Sequence, residues 1–161
     1  MFRGTFTALV TPFHDGAIDV AAFEKLIESQ IAAGISGVVA VGTTGESPTL
    51  SHEERQELIR LAIATAKKRC LVLAGTGSNA TQHAVADTKM AEKLGADGAL
   101  LVAPYYNKPS QEGLFRHFKT IADATSLPIM LYNIPGRCGV DIAPDTVTRL
   151  AKECRNIVSI K

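Results

Sequence analysis

Short runs of apolar residues recur along the chain at intervals of about 30 residues. They are TFTALV from Thr5, VVAV from Val38, LVLA from Leu71, ALLVA from Ala99, IMLY from Ile129 and IVSI from Ile157. Uninterrupted apolar runs of this kind are typical of strands that are buried on both faces, as in parallel sheets. The pattern therefore predicts six parallel strands.

Helices are predicted between the strands, because apolar positions there recur with helical spacing. Their start signals are a capping box from Ser51 to Glu54, candidate N-caps at Asn79 and Ser110, and Pro144 at a first helical position. Strands that alternate with helices form a parallel sheet, which is either doubly wound or closed into a barrel.

The number of strands limits the possible architectures. A complete (β/α)8 barrel needs about 250 residues, whereas this chain has 161 residues and ends on its sixth predicted strand. The α/β class therefore leaves an open sheet or strands 1–6 of a TIM barrel. Because nothing after Lys161 caps or turns the last strand, we expect a single domain over residues 1–161 whose chain is interrupted at its C-terminus.

Charge and composition exclude several classes of function. The 17 basic and 16 acidic residues give a net charge of +1. No basic run is present, so neither nucleic acid nor an acidic membrane surface is the expected partner. No apolar run is long enough to span a membrane, and none follows the N-terminus as in a signal peptide. We expect a cytoplasmic protein.

Neither the cysteines nor the histidines are spaced as metal ligands. Three cysteines occur, at Cys70, Cys138 and Cys154. Their odd number and the absence of a CxxC motif argue against a disulfide framework or a zinc site. The four histidines are His14, His52, His83 and His117, and they share no ligand spacing. We therefore expect reduced thiols, surface histidines and no metal.

Candidate chemistry lies where the predicted strands end, because parallel α/β folds bind ligands at the carboxyl ends of their strands. Lys161 ends the sixth strand. A desolvated lysine amine has a free lone pair that attacks carbonyl carbons, so Lys161 is a candidate nucleophile. The alternative is a terminal lysine that points into water.

Two threonines follow the second strand in the turn Gly42-Thr43-Thr44-Gly45. The glycines allow close backbone approach, and adjacent N–H groups with two hydroxyls can bind a carboxylate. The alternative is an ordinary polar turn. No GK[ST] sequence follows, so the turn does not match the Walker A phosphate-binding loop.

The segment after the third strand, Gly75-Thr-Gly-Ser-Asn-Ala80, matches the G-x-G-x-x-A fingerprint of dinucleotide-binding folds. That fingerprint needs an acidic residue near the end of the next strand to bind the ribose. The next strand ends Leu101-Val-Ala-Pro104 and carries no acid there. The match is therefore weak, and no dinucleotide cofactor is expected.

Tyr132 ends the fifth strand, in the segment LYNIPGR. Neighbouring hydroxyl groups can pass protons along a chain, so Tyr132 is a candidate proton carrier, or else a tyrosine at the rim of the sheet. Arg137 follows in a predicted Pro-Gly turn. Its guanidinium could bind a substrate carboxylate through two hydrogen bonds, unless it is only solvated.

These residues occur in segments that resemble the pyruvate-dependent class I aldolase superfamily of dihydrodipicolinate synthase and N-acetylneuraminate lyase. In chain order the segments are TALVTPF, GTTGESPTL, GTGSNAT, PYYNKPSQEGL, LYNIPGR and NIVSIK. The resemblance implies a (β/α)8 barrel followed by a helical domain, of which this chain would lack the last two strands and the C-terminal helices. It also implies catalysis without an organic cofactor or metal, in a homotetramer built from tight dimers.

The resemblance implies that pyruvate condenses with L-aspartate 4-semialdehyde to give 4-hydroxy-tetrahydrodipicolinate, the first committed step of the diaminopimelate and lysine pathway. Lys161 matches the lysine that forms the Schiff base with pyruvate. Tyr132 matches the tyrosine that moves protons to and from that adduct. In the family this tyrosine is linked, through the residue matched by Thr43, to the tyrosine matched by Tyr106, which reaches in from the neighbouring subunit.

The substrate-binding residues follow in the same way. Thr44 matches the residue whose turn holds the pyruvate carboxylate, and Arg137 matches the arginine that receives the aldehyde. The lyase branch typically reads STGE where this chain reads TTGE, and it lacks both the PYYNKPSQEG segment and this arginine, so the synthase branch is favoured. The alternatives are a neuraminate lyase-like or sugar-acid aldolase, and an inactive fragment or non-catalytic binding module.

Many bacterial and plant members of the synthase branch bind L-lysine in a cleft at the dimer interface. The matching positions in this chain are Ser47, His52, Asn79 and Tyr105. Arg55 and His83 stand where lysine-sensitive enzymes commonly carry His and Glu. Losing a carboxylate and gaining a guanidinium disfavours a cationic ligand, so we expect weak or no feedback by lysine.

Overall fold

The computed structural model describes residues 2–161, which contain eight strands. In chain order they are β1 (Phe6–Ala8), β2 (Phe13–His14), β3 (Ala17–Ile18), β4 (Gly37–Ala40), β5 (Leu71–Gly75), β6 (Gly98–Val102), β7 (Ile129–Tyr132) and β8 (Ile157–Ile160). Strands β1 and β4 to β8 form one sheet in chain order, and all neighbours are parallel. The six predicted strands are confirmed.

Helices connect the strands of the parallel sheet. They are α1 (Val20–Ala32), α2 (His52–Ala66), α3 (Thr81–Leu94), α4 (Gln111–Ala122), α5 (Pro135–Cys138) and α6 (Pro144–Glu153). Helices α5 and α6 both lie between β7 and β8, and a 3₁₀ turn over Ser47–Thr49 precedes α2. Within residues 2–161, no helix combines the length and the apolarity that a membrane span requires.

Most of the predicted helix starts are confirmed. Ser51 and Glu54 form the capping box of α2, Ser110 caps α4 by accepting from Gly113, and Pro144 begins α6. The prediction for Asn79 is wrong, because the residue before α3 is Ala80, which has no capping side chain.

The N-terminal end of α3 is organised by local bonds instead of by an asparagine cap. Ser78 Oγ accepts the amide of Ala80 at 3.2 Å. The carbonyl oxygen of Asn79 accepts the side-chain amide of Asn107 at 3.1 Å. Asn79 therefore contributes to a contact between two loops.

An antiparallel hairpin, formed by β2 and β3, was not predicted. Its turn consists of Asp15 and Gly16, whose φ angles are 49° and 78°. An Asp-Gly pair with two positive φ angles is the preferred chemistry of a tight hairpin turn. The hairpin lies outside the main sheet.

Both faces of the parallel sheet are buried. Alternate strand residues such as Val38, Val72 and Leu101 belong to a large core that they share with the helices. The intervening residues point to the opposite face of the sheet, which we call the inner face. They form a second core there, with Val39, Leu73, Leu100 and Tyr132 as its buried members. Burial on both faces explains why the strands read as unbroken apolar runs.

The prediction of a surface position is wrong for one of the four histidines. His117 on α4 is buried, with 5% of its surface exposed, and its Nδ1 lies 2.9 Å from Thr81 Oγ1 on α3. It occupies the apolar face of α4 beside Leu114 and Ile121, one turn away on either side. Burial lowers the pKa of His117 to about 4, so the ring is neutral near pH 7.

Candidate active site

The end of β8 places Lys161 directly opposite Tyr132. The amide of Lys161 donates to the carbonyl oxygen of Leu131 at 2.8 Å, and the amide of Asn133 donates to the carbonyl oxygen of Lys161 at 2.9 Å. In a parallel ladder, a residue that bonds to both neighbours of a partner residue lies beside that partner. The side chains of Lys161 and Tyr132 therefore leave the sheet on the same face.

This pairing depends on a β-bulge at Val158. Ile157 lies opposite Ile129, whereas Ser159 lies opposite the very next residue of β7, so Val158 is an extra residue in β8. With regular alternation, Lys161 would share the face of Ile157, which belongs to the core shared with the helices. The bulge reverses the alternation and turns Lys161 to the inner face.

The lysine amine and the tyrosine ring are in contact. Nζ of Lys161 lies 4.3 Å from the centroid of the Tyr132 ring, a distance at which an ammonium and an aromatic face attract each other. Tyr132 is buried, with 8% of its surface exposed, and Lys161 is exposed. The candidate nucleophile and the candidate proton carrier therefore lie together, with the amine open to a ligand.

The turn after β4 presents two free backbone donors. The amide of Gly45 donates to the carbonyl oxygen of Gly42 at 3.0 Å, and that of Glu46 donates to the carbonyl oxygen of Thr43 at 3.1 Å. The N–H groups of Thr43 and Thr44 have no protein acceptor within residues 2–161. Two adjacent free N–H groups with exposed hydroxyls can bind a carboxylate.

Contacts from other segments hold this turn in place. The Thr11 hydroxyl, buried in the loop after β1, donates to the carbonyl oxygen of Gly45 at 2.7 Å. Val41 has a φ of 58° and is buried, although β-branched residues rarely adopt a positive φ. Backbone strain of this kind persists where the surroundings enforce it, and it is common at functional sites.

Gly75 and Gly77 bring three strand ends close together. A Cβ on Gly75 would lie 2.1 Å from the carbonyl oxygen of Val41, and one on Gly77 would lie 2.5 Å from the amide nitrogen of Val102. Both glycines therefore serve close backbone packing between neighbouring strands. This packing accounts for the glycine spacing that resembles a dinucleotide fingerprint.

Two adjoining cavities open between these loops. The inner one, of about 20 Å³, is bounded by Leu100, Tyr132 and Thr43. The outer one, of about 220 Å³, is bounded by Tyr105 and Arg137 and again by Thr43. No acidic residue of the described chain lines either cavity. Because Arg137 lines the outer cavity and the Thr43 and Thr44 amides are free nearby, the site suits a small anionic ligand. Neither Lys161 nor Thr44 lines a cavity wall.

Arg137 lies on a short helix, α5, where a Pro-Gly turn was predicted. Pro135 begins this helix, and Gly139, with a φ of 68°, ends it. The buried thiol of Cys138 donates to the carbonyl oxygen of Ala103 at 3.2 Å, which ties α5 to the end of β6. Burial raises the pKa of the Cys138 thiol above its ordinary value, so it stays protonated near pH 7.

Tyr106 is not brought to the cavities. Its φ is 74°, and the amide of Asn107 donates to the carbonyl oxygen of Tyr105 across it at 2.9 Å. These features define a strained γ-turn with Tyr106 at its centre. The turn directs Tyr105 to the outer cavity and leaves Tyr106 with 89% of its surface exposed.

The structure gives different contacts to the four candidate lysine-cleft residues. Ser47 and Tyr105 line the outer cavity. His52 lies on α2 with Nδ1 3.3 Å from the buried carboxylate of Asp87, and Asn79 binds the loop of Tyr106 through its carbonyl group. The cleft that was predicted for them lies at a dimer interface, so it stays a prediction.

Two features of the site were missed in the sequence. The bulge at Val158 was not predicted, because it is defined by the pairing of β8 with β7, which the run IVSI does not reveal. Asn133 binds the loop that follows α5 through its side chain. An asparagine directly after a strand often bonds to nearby backbone, so its position was a usable signal.

Comparisons with known proteins agree on a family. A sequence model described as "Dihydrodipicolinate synthetase family" matches residues 1–161. A protein from Chelativorans sp. (strain BNC1), named 4-hydroxy-tetrahydrodipicolinate synthase, is 59% identical over 162 aligned residues, which cover 100% of this chain and 55% of that protein. The chain thus spans about half the length of the curated relatives that it matches.

Solved structures show the same correspondence. The 4-hydroxy-tetrahydrodipicolinate synthase from Methylacidiphilum fumariolicum SolV is 62% identical, with a TM-score of 0.99 over 100% of this chain and 54% of that one. The chloride-inhibited dihydrodipicolinate synthase from Acinetobacter baumannii, complexed with pyruvate, is 54% identical, with a TM-score of 0.97 over 100% of this chain and 55% of that one. The six-stranded sheet is a partial TIM barrel, as predicted, and the chain belongs to the dihydrodipicolinate synthetase family.

Proposed function

We propose that the full-length protein condenses pyruvate with L-aspartate 4-semialdehyde to give 4-hydroxy-tetrahydrodipicolinate, through a Schiff base on Lys161. The observation that carries this proposal is the contact between the amine of Lys161 and the ring of Tyr132 at the carboxyl ends of β7 and β8. A relative with 54% identity is described as complexed with pyruvate, which supports pyruvate as the first substrate.

The chemistry begins at Lys161. The neutral amine adds to the ketone carbon of pyruvate, and loss of water leaves an iminium ion. The positively charged nitrogen withdraws electrons, so the adjacent methyl group loses a proton and becomes a nucleophilic enamine. No organic cofactor or metal is needed, because the iminium itself is the electron sink.

The enamine carbon then forms a bond to the aldehyde carbon of the second substrate. The new alkoxide takes up a proton, and the amino group of the second substrate displaces Lys161 as the ring closes. Tyr132 contacts the amine and has a hydroxyl that can carry these protons, and Thr43 lines the inner cavity together with Tyr132. A hydroxyl chain from Tyr132 to Thr43 would pass protons without leaving charge in the cavity.

The Thr43–Thr44 turn and Arg137 each bind the carboxylate of one substrate. The two free N–H groups of the turn suit the carboxylate of pyruvate. Arg137 lines the outer cavity, and its guanidinium suits the carboxylate of the incoming aldehyde.

The third hydroxyl of the relay, Tyr106, would come from a second subunit. Its exposure and its strained turn place it on the outside of this chain, where it is able to enter a neighbour's site. We therefore propose a catalytic dimer, assembled in pairs into a homotetramer. The three free and buried cysteines fit a protein that works in the reducing cytoplasm.

Borohydride trapping tests the proposal. The full-length protein is mixed with pyruvate and borohydride, weighed intact and mapped by peptide mass spectrometry. We expect a reduced three-carbon adduct on Lys161 in the wild type, none in Lys161→Ala, and a normal yield in Lys152→Ala, which removes an exposed lysine of α6. Labelling of Lys161→Ala at the wild-type yield would refute the proposal.

A further inference from the structure

Asn133, directly after β7, holds the loop that carries Arg137 closed. Its side-chain oxygen accepts the amide of Ile142 at 3.1 Å, and its side-chain nitrogen donates to Asp141 Oδ1 at 2.5 Å. Both polar atoms of one side chain are therefore used on two consecutive residues at the far end of the loop. Residues 134–141 form a closed loop with Arg137 near its middle.

Gln111, at the start of α4, holds the same end of the loop from the other side. Its side-chain nitrogen donates to the carbonyl oxygen of Asp141 at 2.8 Å, and its side-chain oxygen accepts the amide of Ala143 at 3.1 Å. The same oxygen accepts the hydroxyl of Thr146 at 2.6 Å. The base of the loop is thus fixed by two amide side chains.

The guanidinium of Arg137, in contrast, has no partner of its own. Its side chain is exposed, and it forms no hydrogen bond or ion pair with any other residue in the described part of the chain. The location of the guanidinium therefore depends on the backbone of α5. That backbone is held by the Cys138 thiol and by the base of the loop.

We propose that Asn133 is the positioning residue for Arg137, so that its side chain controls the binding of the aldehyde substrate. The inference rests on the proposed function, because it assigns to Arg137 the carboxylate of the aldehyde. The backbone of Asn133 also bonds to the carbonyl group of Lys161. One residue therefore connects the end of the nucleophile's strand to the loop of the substrate-binding arginine.

The first test separates the two substrates. In the full-length protein, Asn133→Ala keeps the backbone bond to Lys161 but removes both side-chain bonds. We expect pyruvate trapping within about twofold of the wild type, and kcat/KM for L-aspartate 4-semialdehyde lower by about 10- to 100-fold, mainly through KM, as for a misplaced substrate clamp. Equal losses in trapping and condensation would show that Asn133 only supports the fold and would overturn the proposal.

The second test exchanges the members of the bonded pair. Asn133→Asp alone sets two carboxylates against each other at the base of the loop, and we expect condensation to fall further than in Asn133→Ala. Adding Asp141→Asn restores the bond with donor and acceptor exchanged, because the new side-chain amide at position 141 can donate to the carboxylate at position 133. The double variant should therefore recover most of the activity. A double variant no better than Asn133→Asp would contradict the role of this bond.

A double-mutant cycle with Arg137 measures whether the effects of the two residues on the aldehyde kcat/KM are coupled. A general structural role of Asn133 would not produce such coupling. If Asn133 acts through Arg137, then Asn133→Ala should change the aldehyde kcat/KM less than about twofold when Arg137 is already Ala. Independent, multiplicative losses would refute the coupling. Absence of pyruvate trapping in the wild type would instead refute the proposed function, and amide exchange at Ile142 in Asn133→Ala would then still report whether the side chain holds the loop.

Discussion

Nζ of Lys161 lies 4.3 Å from the centre of the Tyr132 ring because one extra residue, Val158, reverses the alternation of β8. The contact is therefore a product of strand register as well as of residue type. A bulge beside an active site commonly redirects a side chain in this way. In this chain the redirected side chain is the one on which the proposed chemistry depends.

Replacing Arg137 should separate the two halves of the proposed reaction. Arg137→Ala removes the only charged group that lines the two cavities of the described chain, so condensation with L-aspartate 4-semialdehyde should fall by at least about 100-fold. Pyruvate trapping should stay nearly intact. Arg116→Ala, on the exposed face of α4, is the matched control in steady-state kinetics.

Arg137→Lys should restore little of the lost activity, because an ammonium does not bind a carboxylate through a planar pair of bonds. If Arg137→Ala lost trapping and condensation to the same extent, Arg137 would belong to the pyruvate site.

Feedback by L-lysine should be weak or absent. Arg55 forms an ion pair with the buried Asp87, and the exposed His83 stands on α3 where lysine-sensitive relatives commonly carry a glutamate. A cationic ligand gains no carboxylate from these positions. Initial rates measured against increasing lysine should show no half-inhibition in the sub-millimolar range.

His83→Glu restores a carboxylate at an exposed site and should increase sensitivity to lysine, whereas His83→Gln should not. Sub-millimolar inhibition of the unmodified protein would refute the prediction.

Stability should fall in mild acid because of His117. The pKa of His117 is about 4 in the folded chain, against an ordinary value of 6.5. The folded state binds fewer protons than the unfolded state between these values, so the free energy of unfolding decreases as the pH falls from about 6.5 to about 4. The full loss is about 3 kcal/mol.

Urea titrations of the full-length protein at pH values of about 7.5, about 6 and about 5 measure how the free energy of unfolding changes with pH. The last two values lie inside the titration range of the buried ring. His117→Gln should make the free energy of unfolding depend less on pH, whereas His14→Gln, at the exposed end of β2, should leave that dependence unchanged. An unchanged pH dependence in His117→Gln would show that another group is responsible.

Gly75→Ala should be strongly destabilising. The new Cβ would lie 2.1 Å from the carbonyl oxygen of Val41, and backbone in a parallel sheet cannot move aside cheaply. We expect a loss of about 3 kcal/mol, at the upper end for an overpacked site, or a failure to fold. Chemical denaturation and the yield of soluble protein measure both outcomes.

Gly136→Ala provides the control, since a Cβ at this position would meet nothing within 4 Å and the φ of Gly136 is not positive. Its effect should remain below about 1 kcal/mol. Equal stabilities of the two variants would show that the sheet tolerates a side chain at Gly75.

Residues 1–161 expressed without any further segment should self-associate and should not trap pyruvate. Among the described residues, β1 pairs only with β4, and β8 pairs only with β7. Val10 and Ile160, close to these edges, are each about half exposed. Free edges beside apolar side chains favour association between chains.

Sedimentation and trapping on this segment, compared with the full-length protein, measure the expected difference. A monomeric product that melts cooperatively and reacts with pyruvate would show that the two edges are harmless.

Much of the fold could be predicted because the strands are buried on both faces and read as apolar runs. The hairpin was missed although Asp15 and Gly16 are a strong turn signal, since its strands are only two residues long. The burial of His117 was also readable, because Leu114 and Ile121 lie one turn away on the same face of α4. The direction of Lys161 was not readable, because a bulge depends on pairing with another strand.

The crowding at Gly75 and Gly77 also bears on the recognition of proteins from short motifs. In nucleotide-binding folds, glycines at this spacing admit a pyrophosphate to the backbone. Here the group that they admit is the backbone of the adjacent strand. The steric demand is the same in both cases. The same glycine motif therefore arises whether the group packed against it belongs to a ligand or to the protein itself. A glycine motif indicates that another group approaches the backbone closely, and only the surrounding residues indicate whether that group is a ligand or a neighbouring strand.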